Sequence, residues 1–167
     1  INTASGADDN VFSVQPSAGS FGTAINTSLY EEFTVTPDLG YFLNLDSITF
    51  LIQRTGAGAT TYAVRSSQDN FATNISTGSI STTYALKTIT LASSSTSALT
   101  YRIYFYGGGG TGFVRIDDVT LVGNVNCLQP TAYTVTGGGA ICTGTGVPVG
   151  LSNSQLGINY QLQIDGV

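Results

Sequence analysis

The sequence predicts an all-β protein, and three observations support that fold class. Short runs rich in β-branched and aromatic residues recur along the chain, separated by clusters of Gly, Ser, Asn and Asp. No segment combines the apolar spacing of an amphipathic helix with capping residues. Residues 99–106 alternate strictly in polarity, as a strand with one buried face does. These features favour an antiparallel β-sandwich of jelly-roll type over any α/β fold.

The predicted strands follow one another at the even spacing expected of a sandwich. They comprise residues 10–14, 30–36, 47–54, 61–66, 86–91, 99–106 and 113–122, with an eighth candidate at 41–45. In the third strand, Ile48, Phe50 and Ile52 fall on one face, and in the fourth Tyr62 and Val64 oppose Ala63 and Arg65. We therefore expect one face of each strand to form the core and the other to be polar with scattered aromatic residues.

The composition of the chain changes near residues 123–130. We predict a jelly-roll domain over residues 1–123, a linker over 124–130 and the beginning of an Ig-like β-domain over 131–167. The last part carries strand candidates at 132–136, 147–151 and 159–164, separated by glycine-rich turns. An Ig-like domain needs about 100 residues. We therefore expect this second domain to be incomplete, so that either the chain continues or another chain supplies the missing strands.

The composition also excludes several functions. The 167 residues include 10 acidic and 5 basic residues, for a formal net charge of −5, and no His. A Ser-His-Asp or Cys-His nucleophile is therefore impossible, and two Cys cannot close a tetrahedral zinc site. So few basic residues argue against a nucleic-acid partner, and no apolar run approaches the length that spans a membrane. Glu31 and Glu32 point to opposite faces of a strand and cannot act as a paired acid and base, so we expect no enzyme.

Two adjacent carboxylates, Asp117 and Asp118, interrupt the apolar last strand of the first domain. One of them must point inward or lie at a bulge, since successive strand residues face opposite sides. Oxygen ligands suit Ca²⁺, and Asp8 and Asp9 near the N-terminus are natural further ligands if the first and last strands are neighbours. The alternative is that one Asp is solvated while the other accepts backbone amides at a bulge.

The polar face of strand 99–106 is the candidate ligand-binding surface. Arg102, Tyr104 and Tyr106 share this face, and we expect Arg65 to lie near them. Sugars stack on aromatic rings while Arg, Asn and Gln reach their hydroxyl groups, and an acidic polysaccharide suits the two arginines equally well. The alternatives are that the tyrosines only pair across strands and that Arg65 forms a salt bridge with Asp69 or Glu32.

Cys127 and Cys142 bracket a glycine-rich turn. In an oxidising compartment we expect them to form a disulfide, which for a loop of this size would stabilise the fold by about 3 kcal/mol. The alternatives are two separate buried thiols, or partners that lie elsewhere in a longer protein.

The stretch Ile116-Asp117-Asp118-Val119-Thr120-Leu121 resembles the last strand of carbohydrate-binding modules with a galactose-binding-like β-sandwich, in which the Asp often belongs to a structural Ca²⁺ site. Residues 62–71 are similar to a segment of secreted multidomain proteins of Bacteroidetes-type bacteria. Residues 131–167 resemble the opening of Ig-like repeats in surface adhesins of the same bacteria. Such proteins are typically exported by type IX secretion.

The sequence thus predicts a non-catalytic extracellular module of a larger secreted or cell-surface bacterial protein. Its expected role is carbohydrate binding or cell adhesion, with a polysaccharide or cell-surface glycan and other domains of the same protein as partners. Two alternatives stay open. One is a spacer or tip domain of a repeat adhesin or filament, completed by strand addition; the other is an accessory domain of a secreted hydrolase.

Overall fold

Two four-stranded antiparallel sheets face each other in the structure, a computed structural model that describes residues 11–17 and 19–163. The first sheet has the order β1-β8-β3-β6 and the second has the order β2-β7-β4-β5. The strands are β1 (Phe12–Val14), β2 (Tyr30–Val35), β3 (Tyr41–Arg54), β4 (Thr61–Ser66), β5 (Ser76–Ser79), β6 (Ala85–Ser95), β7 (Leu99–Tyr106) and β8 (Val114–Cys127). A single 3₁₀ turn, Ser67–Asp69, follows β4. The predicted all-β antiparallel sandwich is confirmed.

The inner faces of both sheets form one apolar core. Phe50 of β3 meets Tyr62 of β4 edge to face, with ring centroids 5.6 Å apart, and so joins the two sheets. The apolar set predicted for each of these strands and for β7 is buried, but on the opposite face Ala63 of β4 and Tyr104 of β7 are buried as well. The largest fully buried side chains are Tyr101, Tyr104, Phe21, Phe50, Phe105, Ile48, Ile52, Ile103 and Ile116.

The two central strands are longer than their apolar patterns predict. The candidates 41–45 and 47–54 form a single strand, β3, with a bulge between Leu45 and Ser47 that leaves Asp46 exposed. Strand β8 pairs with β3 as far as Cys127, which lies opposite Tyr41. The predicted boundary at residue 123 is therefore wrong, because residues 124–127 belong to the sheet rather than to a linker.

The edge strand β5 was not predicted. Its residues, Ser76–Ser79, include no large apolar side chain, so the sequence offers no alternation to detect. The strand forms because it pairs with β4, where Gly78 lies opposite Tyr62. A Cβ atom at Gly78 would lie 2.6 Å from the Tyr62 hydroxyl, so the absence of a side chain makes room for that ring.

A separate two-stranded antiparallel sheet follows β8. It consists of β9 (Val135–Gly137) and β10 (Val149–Leu151), which are shorter than the predicted strands 132–136 and 147–151. Residues 159–163 form no strand, and residue 164 of that candidate lies outside the described residues. The Ig-like character of this segment stays a prediction. Within the described ranges, no helix has the length and apolar character needed to cross a membrane.

Candidate ligand-binding face

The outer face of the sheet β2-β7-β4-β5 assembles most of the predicted binding residues. Strand β7 lies between β2 and β4, and its side chains point alternately to the core and to this outer face. Arg102 lies directly opposite Glu32 on β2 and opposite Arg65 on β4. Tyr104 lies opposite Tyr30 in the same way. Cross-strand pairing therefore brings Arg65 and Arg102, which are 37 positions apart in the chain, to adjacent places on one surface.

The guanidinium of Arg102 lies between two aromatic rings. Its Cζ atom is 3.8 Å from the centre of the Phe71 ring and 4.2 Å from that of Tyr30. Its Nε atom donates a hydrogen bond of 2.6 Å to Glu32 Oε2. Partial desolvation works against the charged form, but the hydrogen bond to Glu32 helps to raise the pKa of Arg102 above its ordinary value. We call these four residues, Arg102, Tyr30, Phe71 and Glu32, the Arg102 stack.

The loop after β4 holds the Phe71 ring against the Arg102 guanidinium. Asn70 and Phe71 both have left-handed backbone conformations, with φ of 57° and 60°. The Phe71 amide donates to the Ser66 carbonyl at 2.8 Å, and the Thr73 amide donates to Asp69 Oδ2 at 2.9 Å. A hydrogen bond from the Thr73 hydroxyl lowers the pKa of Asp69, which keeps this carboxylate an acceptor. The loop is thus fixed by its own hydrogen bonds, which position the ring.

Arg65 on β4 is hydrogen-bonded to two residues of the same loop. Its Nε atom donates to Asn74 Oδ1 at 2.7 Å, and its Nη1 atom donates to the Phe71 carbonyl at 2.9 Å. Its Cζ atom lies 5.4 Å from the centre of the Tyr104 ring. Arg65 is therefore held by amide and carbonyl oxygens and by a ring.

The alternative salt bridges of Arg65 are absent from the structure. Glu32 pairs with Arg102 instead, and Asp69 accepts hydrogen bonds within its own loop. No carboxylate of the described residues lies within ion-pair distance of Arg65.

The expectation that Tyr104 is exposed is wrong. Its side chain is 1% exposed, because Arg65 covers the ring and Tyr30 packs edge to face against it at 5.5 Å. Tyr106, two residues further along β7, is partly exposed and contacts neither a cation nor another aromatic ring among the described residues. Tyr106 rather than Tyr104 is therefore the β7 ring that a ligand can reach.

Sequence reasoning missed three members of this face. Tyr30 lies on the same side of β2 as Glu32, so alternation along that strand was a sufficient signal. Phe71 and Asn74 lie in an irregular loop, where no periodicity indicates the direction of a side chain. Only the contacts of the folded chain reveal them.

The adjacent carboxylates Asp117 and Asp118 lie at a bulge in β8. Thr49 pairs with Thr120 while Leu51 pairs with Asp117, so β8 holds an extra residue here, and Asp118 has a φ of 49°. The Asp118 amide donates to Asp117 Oδ1 at 2.9 Å. The alternative in which one Asp accepts an amide at a bulge and the other is solvated therefore describes this geometry, since Asp118 is exposed.

The other predicted calcium ligands, Asp8 and Asp9, lie outside the described residues. Within the described part of the chain, no three Asp, Glu, Cys or His residues cluster as a metal site would require. Strand β1 pairs with β8 so that Phe12 lies opposite Ile116, one residue from Asp117. The chain therefore enters β1 beside the bulge, and a calcium site at Asp117 and Asp118 stays a prediction.

If calcium binds at this bulge, EDTA should lower the melting temperature of the protein, because a ligand that binds only the folded state stabilises it. Asp118→Asn should remove that difference, since it deletes an exposed ligand without changing the backbone pairing. Thermal melts with EDTA and with added CaCl₂ measure the effect. Identical melting temperatures in both conditions would rule out a structural calcium ion.

The predicted disulfide between Cys127 and Cys142 does not form in the structure. Both residues are free thiols and both are exposed. Backbone pairing with Tyr41 holds Cys127 at the end of β8, while the Cys142 carbonyl accepts a hydrogen bond from the Thr145 amide in a separate turn. The alternative of two buried thiols is also wrong, because neither side chain is buried.

The comparisons with known proteins agree with the sandwich. No protein-family model and no curated protein matches the sequence. Among solved structures, the chain is similar to one described as "CBM4 structure and function", a family 4 carbohydrate-binding module, with a TM-score of 0.51 and 14% sequence identity. The similarity covers 71% of this chain and 74% of the other. It shows that the two chains share a jelly-roll fold.

Proposed function

We propose that this chain is a non-catalytic carbohydrate-binding module that binds a polysaccharide through the outer face of the sheet β2-β7-β4-β5. The Arg102 stack carries the proposal, because it holds hydrogen-bonding groups and aromatic rings in fixed positions on an accessible surface. Groups held in this way lose little conformational freedom when a ligand binds. The fold shared with a family 4 carbohydrate-binding module supports the same function.

The chemistry of the face suits a sugar chain. Tyr106 offers a ring on which the C–H face of a pyranose can stack. Arg65, Asn74 and Glu32 lie on the same face around Arg102, four residues along β7 from Tyr106, which is about 13 Å at the rise of a strand. They present donors and acceptors for hydroxyl groups of further sugar units of the same chain. Such a surface binds without a metal, a cofactor or a nucleophile, which agrees with the absence of His from the sequence.

We further propose that the module belongs to a secreted or cell-surface protein and acts in adhesion together with other domains of that protein. About a quarter of the residues are Thr or Ser and only 9% are charged, a surface composition common among secreted β-proteins. The resemblance to segments of exported Bacteroidetes-type proteins supports the same location.

Replacing Tyr106 by Ala should weaken polysaccharide binding by about tenfold, an effect that removing an aromatic side chain from a binding surface commonly has. Affinity electrophoresis in gels that contain soluble xylan, mixed-linkage glucan, galactan or an acidic polysaccharide would measure it. The fold should be unaffected, since Tyr106 lies outside the core.

Tyr84→Ala provides the matched control for this experiment. Tyr84 is 42% exposed and precedes β6, which belongs to the other sheet. Its removal should leave the mobility shift unchanged. If Tyr106→Ala and Tyr84→Ala bind as the unmodified protein does, or if no polysaccharide retards the protein, the proposed function is wrong.

A structural role is the second candidate, and the sheet β9-β10 favours it. Each strand has one partner within the described residues, so each leaves an edge open to a further strand. Its apolar residues are accessible: Val135 is 63% exposed and Val149 is 44% exposed. This surface suits strand addition from a neighbouring module.

The structural role predicts concentration-dependent association through this sheet. Sedimentation velocity should show a species larger than the monomer at high concentration, and Val149→Asp should abolish it, because a charge at that position opposes burial. A monomer at every concentration would argue against assembly of identical chains.

A further inference from the structure

We infer that the polysaccharide recognised by this face carries carboxylate groups, and that Arg65 and Arg102 bind them; the inference rests on the proposed function. The two arginines are direct cross-strand partners on the outer face of β4 and β7. Like charges in that relation destabilise an antiparallel pair. Their juxtaposition therefore destabilises the fold, and binding of a ligand of opposite charge would offset the repulsion between the two guanidinium groups.

The fold accommodates this repulsion mainly with aromatic rings. Arg65 lies over Tyr104, and Arg102 lies between Tyr30 and Phe71. These contacts stabilise a cation without neutralising it. Only one carboxylate of the described residues, that of Glu32, forms an ion pair on this face, and its side chain is 40% exposed. Glu32 is thus paired with Arg102 and Asp69 accepts hydrogen bonds of its own loop, whereas Arg65 has no carboxylate of the described residues within ion-pair distance.

The five basic residues of the chain are divided unevenly between the two sheets. Arg54, Lys87 and Arg115 all belong to the first sheet, on β3, β6 and β8. Arg65 and Arg102 are the basic residues of the second sheet, and they are adjacent. A protein with a net charge of −5 repels polyanions in general. Binding of an acidic polymer is therefore directed to this one face.

The guanidinium groups also retain unused donors. Each has five N–H groups in a planar fork. Arg102 uses its Nε on Glu32, and Arg65 uses its Nε and one Nη on Asn74 and the Phe71 carbonyl. The Tyr104 side chain also hydrogen-bonds Arg102. Several Nη donors of the two guanidinium groups remain after these bonds. A planar fork of this kind matches a carboxylate in bidentate geometry better than it matches a hydroxyl group.

The chain itself contains one carboxylate–guanidinium contact on this face, since the Glu32 carboxylate accepts a hydrogen bond from Arg102. The carboxylate of a uronic acid is the same chemical group. The ligand class that fits is therefore a uronate-containing polysaccharide whose sugar rings reach Tyr106 while its carboxylates reach the arginines.

The test compares polymers that differ only in this group. Binding of polygalacturonate, alginate and hyaluronate is measured by isothermal titration calorimetry beside the carboxyl-reduced form of each polymer. At least one native polymer should bind about tenfold or more tightly than its reduced form, as charge-assisted hydrogen bonds require. The difference should shrink at high salt. Dextran sulfate serves as a carboxylate-free polyanion and should bind more weakly than the preferred uronate polymer.

Three variants separate recognition from a general effect on folding. Arg65→Ala should weaken binding of the preferred uronate polymer by about tenfold, and Arg65→Lys should restore it only in part, since Lys keeps the charge but lacks the fork. Glu32→Gln should strengthen that binding several-fold, because it removes the internal competitor for Arg102. Arg115→Ala, an exposed basic residue on the other sheet, is the control and should change nothing.

The outcomes distinguish this inference from the proposed function. If native and carboxyl-reduced polymers bind equally, and Tyr106→Ala weakens both, the face binds carbohydrate but the inference of carboxylate recognition is wrong. Tighter binding of dextran sulfate than of every uronate polymer would also overturn it, as would weaker uronate binding by Glu32→Gln. If no polymer of either kind binds, both the inference and the proposed function fail.

Discussion

Replacing Gly123 by Ala is expected to lower the free energy of unfolding by about 2–3 kcal/mol, the usual cost of forcing an extra group into a packed site. A Cβ atom at this position would overlap the Asn44 carbonyl oxygen and would lie 2.8 Å from the Leu45 Cα. Gly123 pairs with Leu45 where β3 bulges at Asp46. Both contacts are backbone atoms of a central strand, so neither can move aside without disrupting the ladder between β3 and β8.

Urea denaturation followed by far-UV circular dichroism would measure the loss. Gly109→Ala is the matched control, since no atom lies within 4 Å of a Cβ at Gly109 and its φ is not in the left-handed region. The control should change stability by less than about 0.5 kcal/mol. Equal losses in the two variants would show that the close approach at the bulge does not require glycine.

Replacing Glu31 by Gln is expected to stabilise the protein at neutral pH by about 1 kcal/mol, because the amide carries no charge for the partly desolvated site to disfavour. Glu31 lies on the inner side of β2, opposite Ile103, and is only 8% exposed. Its Oε1 atom is buried without a hydrogen-bond partner. A neutral amide of nearly the same shape removes the charge that the interior disfavours.

The effect should depend on pH in a defined direction. Burial raises the pKa of Glu31 above its ordinary value of 4.5, so the folded state takes up a proton at a higher pH than the unfolded state does. Stability therefore falls as the pH rises from about 4.5 through the raised pKa. The advantage of Glu31→Gln should be full at neutral pH and should vanish below that window, where Glu31 is protonated in both states.

Urea titrations at a series of pH values would follow this change. Glu32→Gln is the neighbouring control. Glu32 is exposed and paired with Arg102, so its neutralisation should produce no such gain at neutral pH. If Glu31→Gln and the unmodified protein have the same stability at every pH, the buried carboxylate imposes no electrostatic cost.

Glu31 and Glu32 show what the alternation of side-chain direction along a strand predicts correctly. Their adjacent positions predicted opposite faces, and the structure confirms that one is buried while the other is exposed. The strands Thr61–Ser66 and Leu99–Tyr106 have the predicted bounds for the same reason. Where a strand has one apolar and one polar face, the hydrophobic effect determines both its existence and its orientation.

Other elements depend on pairing with a neighbour and were not predictable from their own residues. Strand β5 contains only small residues. It forms because its backbone pairs with the edge of β4 and because Gly78 leaves room for the Tyr62 ring. The extension of β8 to Cys127 follows from its pairing with the first residues of β3. The predicted linker was wrong because local composition does not report such long-range hydrogen bonds.

The sequence by itself determined that the chain is an all-β sandwich, that it lacks the groups for His-dependent catalysis, and that Arg102 shares a face with Tyr104 and Tyr106. Alternation of side-chain direction every second residue is a local property of a strand, and each strand keeps it in the folded sheets. Only the tertiary structure decided which of those side chains a ligand can reach. Arg65 and Tyr30 bury Tyr104, and a loop distant in sequence brings Phe71 onto Arg102. Such contacts join different strands and loops, so no single segment of the sequence contains the information that specifies them.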